Sequence, residues 1–506
     1  MELSYEDYRN RIDLYSRSIE TSPDNGDAYF KRGLTYGLNQ EYEAAINDFT
    51  SYMNSSGPDA VAYYNRGVAY TSLGRLTDAI SDFSNAILQD CDYYSAYYNR
   101  AMVNSDLGFY PEAIADYTEV IRIRPQCVEA YVNRGYNKRI IEKYDDAIGD
   151  FAKAIQIDPQ NLLAYINLGD IYSRLGQYQS AIGSYTAAIS IDSQDSDPYH
   201  SRAQLYFNQE DYTLALEDFD AVITLEPTDS MAYGERGLCH YMLGECKHAL
   251  NDCSEAIRLN PDDYKSYVNR GIIHASQGDY HPAIYDYTEA IKLVPEFADS
   301  YYQRGIVYKD LGNDELALID FDTVIGLHPH DIQSYIQRVT ILFSMGNCRQ
   351  VIDECNVILD LESDNAIAYY FLGYAYYRLG IDDSAIKFFT KAIPLFPNEG
   401  EPHYNRGNAL RRTGNYADAI RDYNTAIQLN SGDSDAYHNR GTCYFALGEY
   451  QKAVEDYTAS LDINPEDADS LLNRAIALMK LGEEDMASID YDMAISIDPS
   501  VDHGLD

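Results

Sequence analysis

The sequence predicts an all-α solenoid built from helix hairpins, and three observations lead to this fold class. The chain of 506 residues repeats every 34 residues from Gly26 to Val501, without an insertion or a deletion. Within each period, two stripes of apolar residues recur at helical spacing. Glycine and proline stand at fixed places between the stripes, where they end helices. Such a unit buries its apolar face only against its neighbours, as the units of a solenoid do.

The first stripe predicts the first helix of each repeat. With Gly26 as position 1, position 4 is Tyr in twelve of the fourteen repeats, and position 8 is Gly or Ala in thirteen. The small residue at position 8 lets another helix approach closely. Position 15 is Gly in eleven repeats. Because Gly adopts the left-handed conformation at low cost, it ends the first helix there.

The second stripe predicts the second helix, over positions 17 to 28. Position 20 is Ala in thirteen repeats, and position 24 is Phe or Tyr in twelve. The aromatic ring fills the space beside the small residues at positions 8 and 20. Position 32 is Pro in nine repeats, and the Asp and Asn residues around it form a turn. Each repeat is therefore expected to be a helix–turn–helix hairpin.

These positions resemble the tetratricopeptide repeat family over residues 26–501. The resemblance implies a right-handed superhelical solenoid of antiparallel helix hairpins, whose first helices line a concave groove. It divides the chain into an N-terminal half-repeat helix in 1–25, fourteen hairpins in 26–501 and a short tail in 502–506. The sequence departs from the family pattern at position 4, where Tyr replaces the usual Trp, and at position 7, where Arg replaces the usual Leu.

Arginine at position 7 and an acidic residue at position 23 occur in the same twelve repeats. The two exceptions lack both groups, with Leu168 and Ser184 in repeat five and Leu372 and Phe388 in repeat eleven. Because the guanidinium fork meets a carboxylate through two bonds, we expect structural ion pairs within each hairpin. The alternative is a ladder of charges for a ligand. The representative expected pairs are Arg66 with Asp82, Arg270 with Asp286, and Arg440 with Asp456.

Asparagine recurs at position 6, on the side of the first helix that the family geometry turns toward the groove. An Asn amide offers both donors and acceptors, which is what a peptide backbone requires. A regular row of them is a candidate site for an extended peptide, and the alternative is a tolerated polar residue beside Arg. The row consists of Asn65, Asn99, Asn133, Asn167, Asn269, Asn405, Asn439 and Asn473.

Tyrosines beside this row are candidates for binding hot spots, because aromatic anchors carry much of the energy of protein interfaces. The richest segment is AIAYYFLGYAYYRLG in repeat eleven, which also lacks the Arg–acid pair. The alternative is that these rings are local core. The candidates are Tyr64, Tyr98, Tyr370, Tyr374, Tyr377 and Tyr404.

The charge of the chain limits its partners. There are 81 acidic and 38 basic residues, a formal net charge of -43. Such a surface repels nucleic acid and anionic membranes, and it favours solubility or a basic, extended protein or peptide partner. No apolar run approaches the ~20 residues of a membrane span. The first 20 residues carry no secretion signal, and the cysteines do not form a disulfide pattern, so we expect a cytoplasmic protein.

Catalysis, metal ligation and cofactors are not expected. The sequence has no phosphate loop, zinc-protease motif or nucleophile elbow. Cys246 and Cys253 are seven residues apart on one helix, too far for shared ligation, and Cys348 and Cys355 repeat this spacing. We therefore expect a protein-interaction scaffold that binds a segment along its groove.

The alternative function is structural. Solenoids need polar caps at their ends. The last repeat is expected to leave an open face at Ile489, Tyr491 and Ala494, through which chains would assemble end to end into an oligomer or filament.

Overall fold

The structure, a computed structural model, describes residues 5–501, and these residues form helices and turns without a strand. This confirms the all-α fold of tandem helix hairpins. The chain forms two compact units, residues 1–260 and 261–506. The expected tail, 502–506, lies outside the described residues. The expected division into a half-repeat and one solenoid of fourteen hairpins stays a prediction.

The first unit holds fifteen helices among its described residues, 5–260. Their bounds are α1 Tyr5–Thr21, α2 Gly26–Leu38, α3 Tyr42–Ser56, α4 Ala60–Ser72, α5 Leu76–Gln89, α6 Tyr94–Asp106, α7 Tyr110–Ile123, α8 Val128–Ile140, α9 Tyr144–Ile157, α10 Leu162–Arg174, α11 Tyr178–Ile191, α12 Asp197–Asn208, α13 Tyr212–Leu225, α14 Ser230–Met242 and α15 Cys246–Leu259.

The second unit continues with fourteen α-helices among its described residues, and with 3₁₀ turns at Ile393–Leu395 and Pro499–Val501. Its α-helices are α16 Tyr264–Ser276, α17 Tyr280–Leu293, α18 Ala298–Asp310, α19 Asp314–Leu327, α20 Ile332–Ser344, α21 Cys348–Leu361, α22 Ala366–Arg378, α23 Asp382–Ala392, α24 Glu401–Arg412, α25 Tyr416–Leu429, α26 Ser434–Ala446, α27 Tyr450–Ile463, α28 Ala468–Leu481 and α29 Glu484–Ile497.

Within each unit the helices pack in chain order. The first and second helices of a repeat pair with each other, as α4 does with α5, and the second helix then packs on the next first helix, as α5 does on α6. First helices of adjacent repeats also touch, for example α4 with α6. The first helices of each unit therefore form a continuous surface, which we call the first-helix face.

The core of each hairpin depends on matched residue sizes at positions 8 and 24. Phe83 is fully buried, and a Cβ added to Gly67 would lie 2.7 Å from its ring. Repeat ten reverses the sizes, with Val339 at position 8 and Cys355 at position 24, and both are fully buried. Because interiors are close-packed, the larger residue on one helix requires the smaller one on the other.

The turn between the two helices requires a left-handed residue at position 15, whether or not it is glycine. Eleven glycines adopt positive φ there, as the sequence predicts. Three other residues occupy the same position, and they also have positive φ: Gln40 at 63°, Glu142 at 60° and Glu210 at 64°. The packing of the hairpin thus imposes this conformation, at a cost of about 1–2 kcal/mol for a residue with a Cβ.

The expected open face of the last repeat is wrong for two of its three residues, Tyr491 and Ala494. Ala494 is fully buried in a cluster with Leu461 and Leu471, and Tyr491 packs against the core of the final hairpin. Ile489 is 60% exposed. The prediction failed for Tyr491 and Ala494 because positions 24 and 27 face the repeat's own hairpin and its predecessor.

Stacking on the following repeat depends instead on position 21. Ile80, at position 21, packs with Val103 of the next first helix, and Val454 contacts Ala477 in the same way. Position 21 is Ile, Leu or Val in thirteen repeats and serine, Ser488, in the last. The final hairpin therefore presents a polar residue where the others present an apolar one.

Candidate peptide-binding surface

The Arg–acid pairs lie beneath the first-helix face and join the two helices of a hairpin. Arg66 donates from Nε to Asp82 Oδ2 at 2.7 Å and from Nη2 to Asp82 Oδ1 at 2.8 Å. The Asp82 side chain is only 4% exposed. The same two-bond geometry joins Arg270 to Asp286 and Arg440 to Asp456. A carboxylate so enclosed has little surface to offer a ligand, which favours the structural role.

Each of these arginines also reaches the preceding repeat, a contact that the sequence reasoning missed. Arg66 Nη1 donates to Thr50 Oγ1 at 2.8 Å, and Arg406 Nη1 donates to Thr390 Oγ1 at 3.0 Å. The signal was in the sequence, because position 25 is Ser, Thr, Asp or Asn in thirteen repeats. The exception is Ala152, and the repeat after it has Leu168 in place of Arg.

Repeat eleven replaces its ion pair with apolar packing. Leu372 is 1% exposed in an apolar cluster. Phe388 stacks on Tyr376 with ring centroids 5.4 Å apart and an interplanar angle of 8°. Losing both partners together leaves no unpaired charge in the hairpin, which is why the two changes occur in the same repeat.

The predicted asparagine row is connected to the predicted tyrosines. Asn99 Nδ2 donates to the hydroxyl of Tyr64 in the preceding repeat at 3.1 Å, and Asn133 does so to Tyr98 at 3.0 Å. In the second unit, Asn405 donates to Tyr370 and Asn439 to Tyr404, both at 3.1 Å. This series of bonds, which we call the Asn–Tyr ladder, ties neighbouring first helices together.

The other asparagines have different surroundings. Asn65 and Asn167 follow repeats with Phe30 and Val132 at position 5, which lack a hydroxyl, and they donate to carbonyls of their own helices. Asn473 lies 3.4 Å from His438 Nε2, and Asn269 is half-buried. The structure thus brings four asparagines of the predicted row to tyrosine partners and leaves Asn65 and Asn167 out.

The ladder tyrosines are held neutral. Burial, partly offset by the bond from Asn99, raises the pKa of Tyr64. Burial likewise raises the pKa of Tyr98, and burial followed by the bond to Glu401 raises that of Tyr370. These phenols therefore keep their protons at physiological pH and act as hydrogen-bonding groups.

The tyrosines of repeat eleven form an aromatic cluster that is half-buried. Tyr374 meets Phe343 edge-on, with ring centroids 4.7 Å apart, and Tyr377 lies 6.4 Å from Tyr374. The Arg412 guanidinium stands 4.1 Å from the Tyr377 ring. The rings pack against one another, as core residues do, and they also retain some exposed surface, as a binding site requires.

Two adjoining pockets open on the first-helix face of the first unit. The first has a volume of about 250 Å³ and lies between α12 and α14, lined by Gln204, Phe207, Asn208, Phe219, Glu235 and Leu238. The second, of about 370 Å³, extends from α8 to α12 and shares Gln204 and Asn208. These side chains lie outside the asparagine row and the tyrosines that the sequence predicts. The sequence did not single out repeat six, because nothing in its pattern marks these side chains.

The first pocket combines apolar walls with a few polar groups, whereas the second is lined mostly by polar side chains. Gln204 Nε2 donates to Glu235 Oε1 at 3.2 Å, and His200 Nε2 lies 3.0 Å from Glu235 Oε2. Arg139 Nη1 donates to Asp170 Oδ2 at 3.2 Å in the second pocket. The first pocket therefore suits a side chain with an apolar stem and a basic end, whereas the second pocket carries Arg174 as well as Arg139.

Comparison with protein families explains the architecture. Tetratricopeptide repeat profiles match residues 14–47, 60–90, 94–127, 142–205, 200–264, 273–312, 298–331, 358–399, 404–468 and 444–502. The chain belongs to the tetratricopeptide repeat family. A tetratricopeptide repeat scaffold serves protein–protein interaction in general, and its members bind peptides or proteins.

Similar solved structures include other tetratricopeptide repeat (TPR) proteins. YrrB, described as a TPR protein with an unusual peptide-binding site, is 24% identical over 36% of this chain and 95% of its own, with a TM-score of 0.31. A TPR protein from Parabacteroides merdae is 19% identical over 49% of this chain and 98% of its own, with a TM-score of 0.36.

The APC/C hetero-tetramer Cut9–Hcn1 is 15% identical over 94% of both chains, with a TM-score of 0.36. No curated protein sequence matches this chain. Among residues 5–501 of this TPR protein, no helix has the length and apolar character needed to cross a membrane.

Proposed function

We propose that this chain is a scaffold that binds an extended, basic peptide segment along its first-helix face. The observation that carries the proposal is the pair of adjoining pockets between α8 and α14. Ligand sites are typically concave and mostly apolar, with a few placed polar groups. The first pocket fits this description, and the second places a mostly polar wall beside it. A lysine or arginine would lay its stem against Phe207 and Leu238 and direct its charge to Glu235.

The Asn–Tyr ladder supports the same proposal. An amide has two N–H groups, and the bond from Asn99 to Tyr64 uses one of them. The ladder therefore fixes the amides of Asn99 and Asn133 in place, while their other N–H and their carbonyl would serve a peptide backbone. Side chains that are already held lose less entropy when a ligand binds, so their contacts contribute more to affinity.

Apolar residues elsewhere on the same face provide further contact area. Met102 and Tyr136, at position 9, are 44% and 42% exposed, and Leu38, Ile140 and Met242, at position 13, are 65%, 40% and 49% exposed. Together with the net charge of -43, they favour a partner that is basic and partly apolar.

A peptide-display selection against the full chain tests this proposal, with affinities measured by fluorescence anisotropy. The selected peptides should be basic and extended, and Asn208→Arg should weaken their binding at least about tenfold by filling the pocket with a repelling charge. Leu214→Arg is the matched control, because Leu214 is 41% exposed on the second helix of the same repeat. Equal binding to the unsubstituted chain and to Asn208→Arg would rule out this surface.

Self-association is a second candidate, favoured by an exposed apolar stripe on α29. Met486, Ile489, Met493 and Ile497 recur at helical spacing and are 54%, 60%, 46% and 41% exposed. If α29 joins chains, Ile489→Glu should convert an oligomer to a monomer in light scattering behind size-exclusion chromatography. A monomer before substitution removes this candidate.

A further inference from the structure

Two histidines and a glutamate meet at the turn of repeat seven. His240 lies in the last turn of α14, Glu245 directly precedes α15, and His248 lies in the first turn of α15. One ligand atom from each lies within 4.8 Å of the other two. Within residues 5–501, no other group of three His, Cys, Asp or Glu residues meets this condition.

The distances suit a tetrahedral metal centre. His240 Nδ1 lies 2.7 Å from Glu245 Oε2, and His248 Nδ1 lies 3.5 Å from the same oxygen. Zinc bonds to nitrogen and oxygen of about 2.0–2.1 Å place tetrahedral ligand atoms about 3.3 Å apart. The two observed distances fall on either side of that value, and the ring centroids of the two histidines lie 5.2 Å apart.

His240 has a carboxylate near its second ring nitrogen. Its second ring nitrogen, Nε2, lies 3.8 Å from Asp252 Oδ2, and Asp252 is itself held by two bonds from Arg236. Metal-bound histidines commonly direct their other nitrogen to a carboxylate, which fixes the ring and raises its basicity. The His240 side chain is 15% exposed, whereas those of Glu245 and His248 are 49% and 67% exposed. One ligand is thus anchored and the other two are accessible from solvent.

We propose that His240, Glu245 and His248 bind a divalent transition-metal ion of the zinc class, which links α14 to α15. Two imidazoles and one carboxylate form a donor set that zinc takes up readily. Calcium and magnesium prefer oxygen ligands and would bind there weakly. A fourth position stays open to water. The site lies at the hairpin turn, and it is independent of the peptide-binding proposal because its three ligands do not line either pocket.

Repeat eight offers an internal comparison. It has His274 and Asp279 at the same repeat positions as His240 and Glu245, but its second histidine, His281, stands one position earlier than His248 does. One residue rotates a side chain by about 100° around a helix. His274 Nδ1 lies 3.9 Å from Asp279 Oδ2, and within the described part of the chain the three do not form a ligand group.

Titration of the full chain, without an affinity tag, with zinc chloride in calorimetry tests the site. The native chain should bind one zinc ion. His248→Gln and Glu245→Gln should each lower the affinity of the chain for zinc at least about tenfold. Both residues are accessible to solvent, so the variants are expected to fold, and circular dichroism checks this. His281→Gln is the matched control and should leave the affinity unchanged.

Cobalt(II) distinguishes this site from binding to cysteines such as the exposed Cys91. The expected cobalt spectrum has visible bands from a tetrahedral nitrogen–oxygen centre without thiolate charge-transfer absorption, and the bands should disappear in His248→Gln. Zinc affinity that is equal in His248→Gln and in the unsubstituted chain would overturn the proposal, as would the absence of saturable binding.

Discussion

Arg100 holds Asp116 through two parallel hydrogen bonds, Nε to Oδ2 at 2.8 Å and Nη2 to Oδ1 at 2.6 Å. The Asp116 side chain is 7% exposed and that of Arg100 is 22% exposed. Removing one partner leaves the other charge partly buried and unpaired, which costs far more than losing an exposed surface pair. The stability of each hairpin should therefore depend on keeping or losing both residues together.

A double-mutant cycle tests this dependence. Arg100→Leu and Asp116→Ser should each lower the local free energy of unfolding by about 3–5 kcal/mol. The double variant reproduces the Leu168 and Ser184 combination of repeat five, and it should cost clearly less than the sum. Hydrogen exchange of α6 and α7 measures the local values, since long repeat arrays do not unfold in one step. An additive double variant would show that the two side chains do not stabilise each other.

The hydrogen bond from Arg66 to Thr50 of the preceding repeat should make a measurable contribution to stability. Its hydroxyl accepts from Arg66 Nη1 at 2.8 Å and donates to the Ile46 carbonyl at 2.8 Å. Thr50→Val keeps the shape and removes both bonds, and it should cost about 1.5–3 kcal/mol because one partner is charged. Hydrogen exchange of α3 and α4 reports the loss.

Thr71→Val is the control for that substitution. Thr71 also donates to a carbonyl four residues earlier, that of Gly67, at 3.0 Å. Its replacement should cost less than that of Thr50, because only the Thr50 hydroxyl accepts from a guanidinium here. Equal losses at the two positions would mean that the bond from Arg66 adds nothing to the packing of adjacent repeats.

Replacing a strained turn residue should increase the stability of the protein, unlike the substitutions above. Glu210 has a φ of 64° at a position where eleven other repeats have glycine. Glu210→Gly removes backbone strain of about 1–2 kcal/mol from the folded state. Glycine also makes the unfolded chain more flexible, which offsets part of this effect, so we expect a net stabilisation of about 0.5–1 kcal/mol. Gln209→Gly, next to it at a φ of -93°, should destabilise. A loss of stability in both variants would contradict the strain assigned to Glu210.

The helical repeat was predictable because its signals are local and recur fourteen times. Positions 8, 20 and 24 each serve helix packing and position 15 serves the turn. Their pattern therefore remains recognisable despite individual exceptions such as Val339 and Glu210. The contact between Arg66 and Asp82 followed from two positions that change together within one chain. The fold and its internal ion pairs could therefore be predicted from the sequence.

The candidate surface was harder to predict from the sequence, because it depends on contacts between repeats. The bond from Asn99 to Tyr64 joins residues 35 positions apart, and it requires a hydroxyl in one repeat and an amide in the next. The pocket beside Asn208 exists because of side-chain sizes at positions that show no recurring pattern. The cluster of His240, Glu245 and His248 depends on the direction in which each side chain leaves the turn, which the spacing alone does not specify.

Buried tyrosines should make the fold sensitive to alkaline pH. Burial, followed by the neighbouring Tyr64, raises the pKa of Tyr93 to about 12, and burial raises that of Tyr457 to about 12. In the unfolded chain a tyrosine titrates near pH 10. The folded state thus favours the neutral phenol, and this contribution to stability is complete below pH 10 and lost as the pH rises toward about 12.

Phenolate absorbance and circular dichroism, followed together in a pH titration, check this expectation. Helicity should fall between about pH 10 and pH 12 as the buried tyrosines ionise with unfolding. Tyr93→Phe removes one coupled group and should shift the helical transition to higher pH, whereas Tyr285→Phe, at a residue that is 58% exposed, should shift it less. Full ionisation of the tyrosines near pH 10 with helicity retained would show that burial does not protect these phenols.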